Sequence, residues 1–161
     1  MSIRMGIGYD VHRFAEGRRL VLGGVTIPHE RGLLGHSDAD VLLHAIADAV
    51  LGAAACGDIG EHFPPGDMRW KDADSIGLLA ASCAIVREAG WRVVNIDATV
   101  IAEAPKVMPH AAAMRAAIAA ACGVGAGDVG VKATTNEGMG FVGREEGIAA
   151  LAIATIERVQ G

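Results

Sequence analysis

The sequence has little cysteine and no long apolar run, and each shortage excludes a class of protein. Only three cysteines occur in 161 residues, an odd number without a CxxC spacing, so neither a disulfide framework nor a thiolate zinc site is indicated. No apolar stretch reaches the roughly 18 residues of a membrane-spanning helix, so we expect no membrane partner. The first ten residues lack the continuous apolar segment of a signal peptide. We therefore expect a cytoplasmic protein.

Basic residues are too few and too dispersed for a nucleic-acid groove. The chain has 14 lysines and arginines against 19 aspartates and glutamates, which gives a net charge of −5. Because a nucleic-acid groove needs a basic face to neutralise phosphates, we expect no nucleic acid as a partner. Lysine is especially scarce, and it occurs only at Lys71, Lys106 and Lys132. The positive charge for any phosphorylated ligand must therefore be supplied locally.

What remains is the composition of one folded domain over residues 1–161, with 52% hydrophobic residues. Alternation and turn residues predict a half-buried strand over 3–12 and a hairpin over 19–28 that turns at Gly23 and Gly24. The helices that helical spacing predicts are 38–55, 74–89 and 111–122, and the further strands are 92–102 and 129–135. Residues 148–159 fit strand or helix, and strand is favoured. We expect an α/β (α+β) fold, a single-layer sheet covered by helices on one face.

Three shorter segments have distinct predictions. Ser37 is a good N-cap for the first helix, and Asp40 completes a capping-box-like pair with it. Residues 63–72 contain two adjacent prolines and no periodicity, which predicts a surface loop that can act as a lid. Residues 138–143 match GxGxxG, yet a dinucleotide site needs a following helix and strand that the chain cannot complete. We interpret them as a flexible turn.

Asp10 and His12 form the first candidate site. The two-residue period of a strand directs both side chains to one face, where they can share a metal ion. His44, on the predicted helix, can supply a third ligand and leave an open fourth position, as in a catalytic zinc site. Asp48, four residues later, can orient the His44 imidazole. Each of these residues, taken alone, is also compatible with an ordinary surface or core role.

Two further polar clusters follow. His36 and Ser37 precede a helix N-terminus, which attracts anions, and capping leaves His36 unexplained. At the end of the strand over 129–135, Lys132 and two threonine hydroxyls can contact phosphate, while Glu137 can hold a bridging Mg²⁺. A strand that runs into a polar turn explains this second cluster equally simply.

Taken in order, these clusters resemble the 2-C-methyl-D-erythritol 2,4-cyclodiphosphate synthase family over essentially the whole chain. The segments that carry the resemblance are Asp10-Val11-His12, 36–44, Gly57-Asp58-Ile59-Gly60, Ala104-Pro105-Lys106 and 132–137. The resemblance implies a homotrimer with active sites between subunits. It also implies cyclisation of 4-diphosphocytidyl-2-C-methyl-D-erythritol 2-phosphate with release of CMP, in the non-mevalonate isoprenoid pathway.

The resemblance also implies residue roles. Asp10, His12 and His44 would hold a Zn²⁺-like ion, Glu137 would help to place Mg²⁺ on the substrate diphosphate, and His36 and Thr135 are the transition-state positions. Lys132 would offset phosphate charge. The methylerythritol contacts would be Asp58, Ile59, Gly60, Phe63, Pro64, Pro65, Gly66 and Asp67, and Ser37 would also contact the substrate. The cytidine contacts would be Ala102, Glu103, Ala104, Pro105, Lys106, Val107 and Met108. Thr134, Asn136, Phe141 and Arg144 complete the implied substrate set, and the family often has threonine at position 136.

Two other functions use the same residues. A metal-dependent phosphohydrolase would activate water at the three-ligand site and release a linear product. A non-enzymatic trimeric binder of isoprenoid phosphates would need the apolar region around Arg144 near the trimer axis, but not the metal ligands. In the expected trimer, whichever function it has, Arg144 and Glu146 would pair between subunits across the axis.

Overall fold

The computed structural model describes residues 2–159 and contains a five-stranded mixed sheet with helices packed on one face. Its strands are β1 Ile3–Ala15, β4 Gly32–Leu33, β5 Trp91–Ile101, β6 Val129–Thr134 and β7 Gly147–Arg158. The sheet order is β4-β1-β7-β5-β6, where β5 and β6 are parallel and the pairs β1–β4, β1–β7 and β5–β7 are antiparallel. A separate hairpin joins β2 Leu20–Leu22 and β3 Val25–Ile27. The predicted fold class is confirmed.

Three helices of 12 to 14 residues cover the sheet, and two short ones lie in the connections. The long helices are α1 Val41–Ala53, α3 Ser75–Glu88 and α4 Ala111–Cys122, and the short ones are α2 Ile59–His62 and α5 Gly140–Gly143. None of the helices within residues 2–159 combines the length and hydropathy needed to traverse a bilayer. The core lies between the sheet and helix α1, whose residues Leu42, Ile46 and Val50 are fully buried.

The strand β1 presents the opposite face to the core from the one its pattern indicates. Its apolar side is exposed, with relative exposures of 69% at Met5 and 71% at Ile7. The side with Gly6 and Gly8 packs against α1 instead. The approach is so close that a β-carbon at Gly8 would lie 1.9 Å from the carbonyl oxygen of Ala45. Only glycine permits this approach of helix to strand. The apolar alternation therefore marks a sheet face that the helices leave open.

The start of α1 is also corrected. Its N-cap is Asp40, and the helix begins at Val41 rather than after Ser37. The Asp40 carboxylate accepts the N–H groups of Leu43, Gly23 and Gly24 at 2.7–3.0 Å, so one buried side chain caps the helix and holds the β2–β3 turn. Complete burial raises the pKa of Asp40 to about 6 despite these three donors. The Ser37 hydroxyl accepts the N–H of Ala39 instead.

Two other expectations are settled by the topology. Residues 147–158 form a strand, β7, which lies in the centre of the sheet between β1 and β5. The GxGxxG segment, predicted as a flexible turn, contains the short helix α5. The prediction of a single domain over residues 1–161 stays a prediction, since residues 1, 160 and 161 lie outside the described range.

Candidate active site

Three side chains meet where β1 passes under α1. Asp10 and His12 lie on the helix-facing side of β1, two and four residues after Gly8. His44 lies in the first half of α1. The glycine contact that brings Ala45 onto the strand also brings the neighbouring His44 over Asp10. The predicted convergence of these three residues is therefore present, and it depends on the absence of side chains at Gly6 and Gly8.

The three side chains direct ligand atoms at one point. Asp10 Oδ2 lies 2.9 Å from His12 Nε2 and 3.1 Å from His44 Nδ1, and the two nitrogens are 3.3 Å apart. His12 Nδ1 donates its hydrogen to the carbonyl oxygen of Leu34 at 2.7 Å, which leaves the Nε2 lone pair facing the cluster. One carboxylate and two imidazoles in this arrangement suit a divalent cation.

The electrostatics of the cluster favour a bound cation. Burial works to raise the pKa of Asp10, but hydrogen bonds and charge from His12 and His44 outweigh it and hold that pKa well below its usual range. Burial works to lower the pKa of His12, yet the Asp10 carboxylate outweighs it and the net shift is upward. The ionised form of Asp10 is thus favoured beside positive charge, and a divalent ion supplies such charge without protonating a ligand.

His44 is oriented by serines and not by Asp48. Its Nε2 atom lies 3.0 Å from Ser75 Oγ and 3.3 Å from Ser37 Oγ. The carboxylate of Asp48 accepts the N–H of Ile59 at 2.8 Å, and burial raises the pKa of Asp48. The predicted role of Asp48 as the partner of His44 is wrong. Asp48 instead fixes the segment that contains Asp58 and Ile59 against α1.

A cleft of about 660 Å³ opens beside the three ligands. Its walls include the metal-ligand cluster, His36 and part of the segment 58–70, which contains the predicted methylerythritol contacts. The lining residues are Asp10, His12, His36, Ser37, His44, Asp48, Ile59, Gly60, Phe63, Pro65, Trp70 and Leu78. Asp58, Pro64, Gly66 and Asp67 belong to the same segment but are not among the lining residues.

The predicted lid is tied to the cleft by His36. His36 Nε2 donates to the carbonyl oxygen of Asp67 at 3.1 Å, and the ring of Trp70 packs edge-on against Phe63 at 5.0 Å between centroids. A 3₁₀ turn at Met68–Trp70 gives the segment regular structure that its prolines did not indicate. Phe63 and Trp70 thus place an aromatic wall on the cleft, and Trp70 was missed because it lies beyond the proline pair.

A second cleft, of about 560 Å³, lies between the β5–α4 connection and the end of β6. It is lined by the predicted cytidine contacts except Ala104, whose peptide bond to Pro105 is cis, and by residues at the end of β6. The lining residues are Ala102, Glu103, Pro105, Lys106, Val107, Met108, Pro109, Ala133, Thr134 and Thr135. The two clefts have no lining residue in common.

Glu103 holds the far wall of this second cleft. Its Oε1 atom accepts the N–H of Asn136 at 2.9 Å and the N–H of Gly138 at 3.2 Å. Glu137 lies between these two anchored residues, and its side chain is exposed. Sequence spacing gave no sign of this contact, because residues 103 and 136 come from connections after different strands.

The remaining predicted residues form contacts of their own. Lys132 Nζ lies 2.5 Å from both carboxylate oxygens of Asp97 on the neighbouring strand β5. Arg144 pairs with Glu146 of the same chain at 3.0 Å, so the predicted pairing of these two residues between subunits is not needed to neutralise them. Phe141 is half-buried in α5.

Comparison with known proteins identifies the family. A protein from Syntrophomonas wolfei named 2-C-methyl-D-erythritol 2,4-cyclodiphosphate synthase is 59% identical over 156 residues, which cover 97% of this chain and 99% of that protein. The bifunctional IspDF structure from Campylobacter jejuni matches with a TM-score of 0.95 and 45% identity over 99% of this chain and 43% of that longer chain. The Plasmodium falciparum IspF structure, a CDP complex, matches with a TM-score of 0.86 and 30% identity over 99% and 98% of the two chains. The YgbB family model matches residues 3–157, and the chain belongs to the YgbB family.

Proposed function

We propose that the chain converts 4-diphosphocytidyl-2-C-methyl-D-erythritol 2-phosphate to 2-C-methyl-D-erythritol 2,4-cyclodiphosphate with release of CMP, as a phosphorus-oxygen lyase of the non-mevalonate isoprenoid pathway. The observation that carries the proposal is the convergence of Asp10, His12 and His44 at the mouth of a cleft, in a chain 59% identical to a relative of that name. The cytoplasmic location expected from the sequence belongs to this proposal.

The chemistry fits the side chains of the first cleft. An oxygen of the 2-phosphate, ionised near neutral pH, forms a new bond to the β-phosphorus, and the bond from that phosphorus to the oxygen of CMP breaks. No strong general base is needed. Zn²⁺ at Asp10, His12 and His44, with Mg²⁺ near Glu137, would supply positive charge for the phosphates. His36, which lines the cleft, would exchange its Nε2–H bond to the Asp67 carbonyl for one to the reacting phosphate.

Proximity supplies much of the rate. Both reacting groups belong to one substrate molecule, and holding its two ends together removes up to roughly 7–11 kcal/mol of the barrier in favourable cases. The aromatic wall at Phe63 and Trp70 would exclude water from the phosphates. Exclusion of water is what separates cyclisation from hydrolysis at a site with these ligands.

The second cleft would bind the cytidine half of the substrate. Backbone groups of residues 102–108 would match the pyrimidine edge, and Lys106, Thr134 and Thr135 would contact the ribose or phosphates. The two clefts share no lining residue in one chain, which supports a complete site that combines the clefts of two copies. We include a homotrimer in the proposal, with Glu137 and Thr135 of one copy facing the metal ligands of the next.

The open sheet face supports that assembly. Met5, Ile7 and Tyr9 of β1 and Ile153 of β7 are between 43% and 71% exposed on the face that no helix covers. An apolar patch of this kind on an otherwise acidic chain is typical of an interface between copies. A single chain by sedimentation at micromolar concentration, with full activity, would refute the shared site.

The direct test is product analysis by mass spectrometry. The cytidylyl substrate is incubated with the purified protein and Mg²⁺, and we expect the cyclic diphosphate and CMP. A linear phosphate product would indicate a phosphohydrolase, and unchanged substrate with measurable binding would indicate a binder. His44→Ala should abolish product formation with an unchanged circular dichroism spectrum. His29→Ala is the matched control, since His29 lines neither cleft.

A further inference from the structure

The structure contains a hydrogen-bonded chain behind His44 that the proposed reaction does not use. Ser75, the first residue of α3, is 1% exposed and faces His44 Nε2 with its hydroxyl oxygen at 3.0 Å. Asp38 lies behind it and accepts both the Ser75 hydroxyl and the Ser75 backbone N–H, the latter at 3.0 Å. The chain runs from Asp38 through Ser75 to the imidazole, on the side away from the ligand cluster.

We infer that Asp38 and Ser75 are positioning residues that select the His44 tautomer able to bind a metal through Nδ1. The inference rests on the metal site of the proposed function and deepens it. Asp38 lies on the loop before α1 and Ser75 at the start of α3. Neither is a metal ligand, and both would act through the orientation and tautomer of His44.

The number of available hydrogens fixes the direction of each hydrogen bond between Asp38, Ser75 and His44. The Ser75 hydroxyl has one hydrogen, and the Asp38 carboxylate can only accept it. Toward His44 the Ser75 oxygen therefore presents a lone pair and acts as an acceptor. The hydrogen of the neutral imidazole must then be on Nε2, so the lone pair on Nδ1 faces Asp10 and the ligand cluster.

The other His44 tautomer, with its hydrogen on Nδ1, also finds hydrogen-bond partners. A contact that disfavours it is therefore needed if the metal-binding tautomer is to predominate. With its hydrogen on Nδ1, His44 would donate to Asp10 Oδ2 at 3.1 Å, and Nε2 would accept from the Ser37 hydroxyl at 3.3 Å. Such a ring cannot bind a metal at Nδ1. In that state, however, the Ser75 lone pair would lie against the Nε2 lone pair at 3.0 Å, so Ser75 with Asp38 disfavours it.

Backbone hydrogen bonds hold Asp38 and Ser75 in position behind His44. Asp38 N donates to the carbonyl of Ala73 at 3.2 Å, and Asp72 N donates to the carbonyl of His36 at 3.0 Å. These bonds join the loop before α1 to the end of the segment 63–74 that forms the cleft wall. The first residue of α3 therefore cannot move away from His44 without breaking several backbone bonds.

The test compares Ser75→Ala with Ser82→Ala. Ser82 lies on the same helix, is fully buried, and bonds only to the Leu78 carbonyl at 2.9 Å, so its removal controls for the loss of a buried hydroxyl. We expect the Zn²⁺ affinity of the intact protein, measured by calorimetry, to fall about 10-fold or more in Ser75→Ala and to stay unchanged in Ser82→Ala. Ser75→Thr, which retains a hydroxyl, should recover most of the affinity.

Nitrogen NMR of the histidine rings gives a readout without metal or substrate. In the metal-free parent protein, His44 should show a protonated Nε2 and an unprotonated Nδ1, and Ser75→Ala should show a mixture of tautomers. A parent ring protonated on Nδ1, or a Ser75→Ala variant that keeps parental Zn²⁺ affinity, would overturn the inference while leaving the proposed reaction intact. Cyclic product absent from a parent protein with the expected tautomer would instead refute the reaction alone.

Discussion

Glu103 offers the sharpest test of how the second cleft is built. Its Oε1 atom accepts two backbone N–H groups, from Asn136 at 2.9 Å and from Gly138 at 3.2 Å, and so ties residues 136–138 to the β5–α4 connection. Glu103→Ala removes both bonds and adds no bulk. The loop would then have to be ordered by the nucleotide itself, which lowers the affinity for CMP.

The size of the effect follows from the two bonds. A hydrogen bond to a charged acceptor contributes about 1.5–3 kcal/mol, but Glu103 is only partly buried and its freed donors can bond to water. We therefore assign about 2 kcal/mol to the pair, which corresponds to roughly 30-fold weaker binding of CMP. Glu103→Gln keeps an acceptor oxygen but loses its charge, so about 1 kcal/mol, or roughly fivefold, is expected.

Two assays separate this role from direct contact with the ligand. Calorimetry gives the CMP affinity, and hydrogen exchange reports the amides of Asn136 and Gly138 in the free protein. Exchange should accelerate in Glu103→Ala and not in Glu30→Ala, an exposed control outside both clefts. Weaker CMP binding with unchanged exchange would refute the reasoning, because Glu103 would then act by touching the nucleotide.

Three other experiments test the contacts that position the site and the loop beside it. Asp40→Asn should lower the free energy of unfolding by about 2 kcal/mol in urea titration, because its amide group places a donor against one of three backbone N–H donors. Gly8→Ala should lower it by about 3 kcal/mol, since the new β-carbon meets a backbone carbonyl of α1. Gly52→Ala, at a position of α1 where a β-carbon meets open space, should instead raise it by up to about 1 kcal/mol. Residues 63–72 should exchange amide hydrogens more slowly when an unreactive analogue of the cytidylyl substrate is bound, and equal exchange with and without the analogue would exclude a lid.

The fold could be predicted from the sequence where a single pattern had one physical cause. Gly23 and Gly24 both adopt positive φ in the β2–β3 turn, a conformation that glycine permits, so the hairpin was predictable. The apolar alternation of β1 had two possible causes, burial under a helix or exposure on an open face. The contact between Gly8 and Ala45 decides between them, and it depends on tertiary packing that a pattern in one strand does not contain.

The same distinction applies to the residues of the site, of which some could be predicted from the sequence and others could not. Asp10 and His12 were predictable because a two-residue spacing has a fixed geometry in a strand. Ser75 was not, since it lies 31 residues from His44 and reaches it only because α3 packs against α1. The same is true of Asp97, which meets Lys132 through the parallel pairing of β5 with β6. Partners of the predicted residues lie on elements whose proximity the sequence did not reveal.

The pairing of Lys132 with Asp97 bears on how an acidic chain can bind a polyanion. Both side chains are more than half exposed, so the pair is worth at most about 1 kcal/mol, and the lysine can leave Asp97 at little cost. While it is paired, however, its charge is offset within the chain. A divalent ion, which the Asp10, His12 and His44 cluster is arranged to hold, would then supply positive charge that the paired lysine does not. The chain thus has few lysines but does have a metal-ligand cluster, and the two features fit together. The charge of Lys132 adds to that of a bound ion and does not replace it.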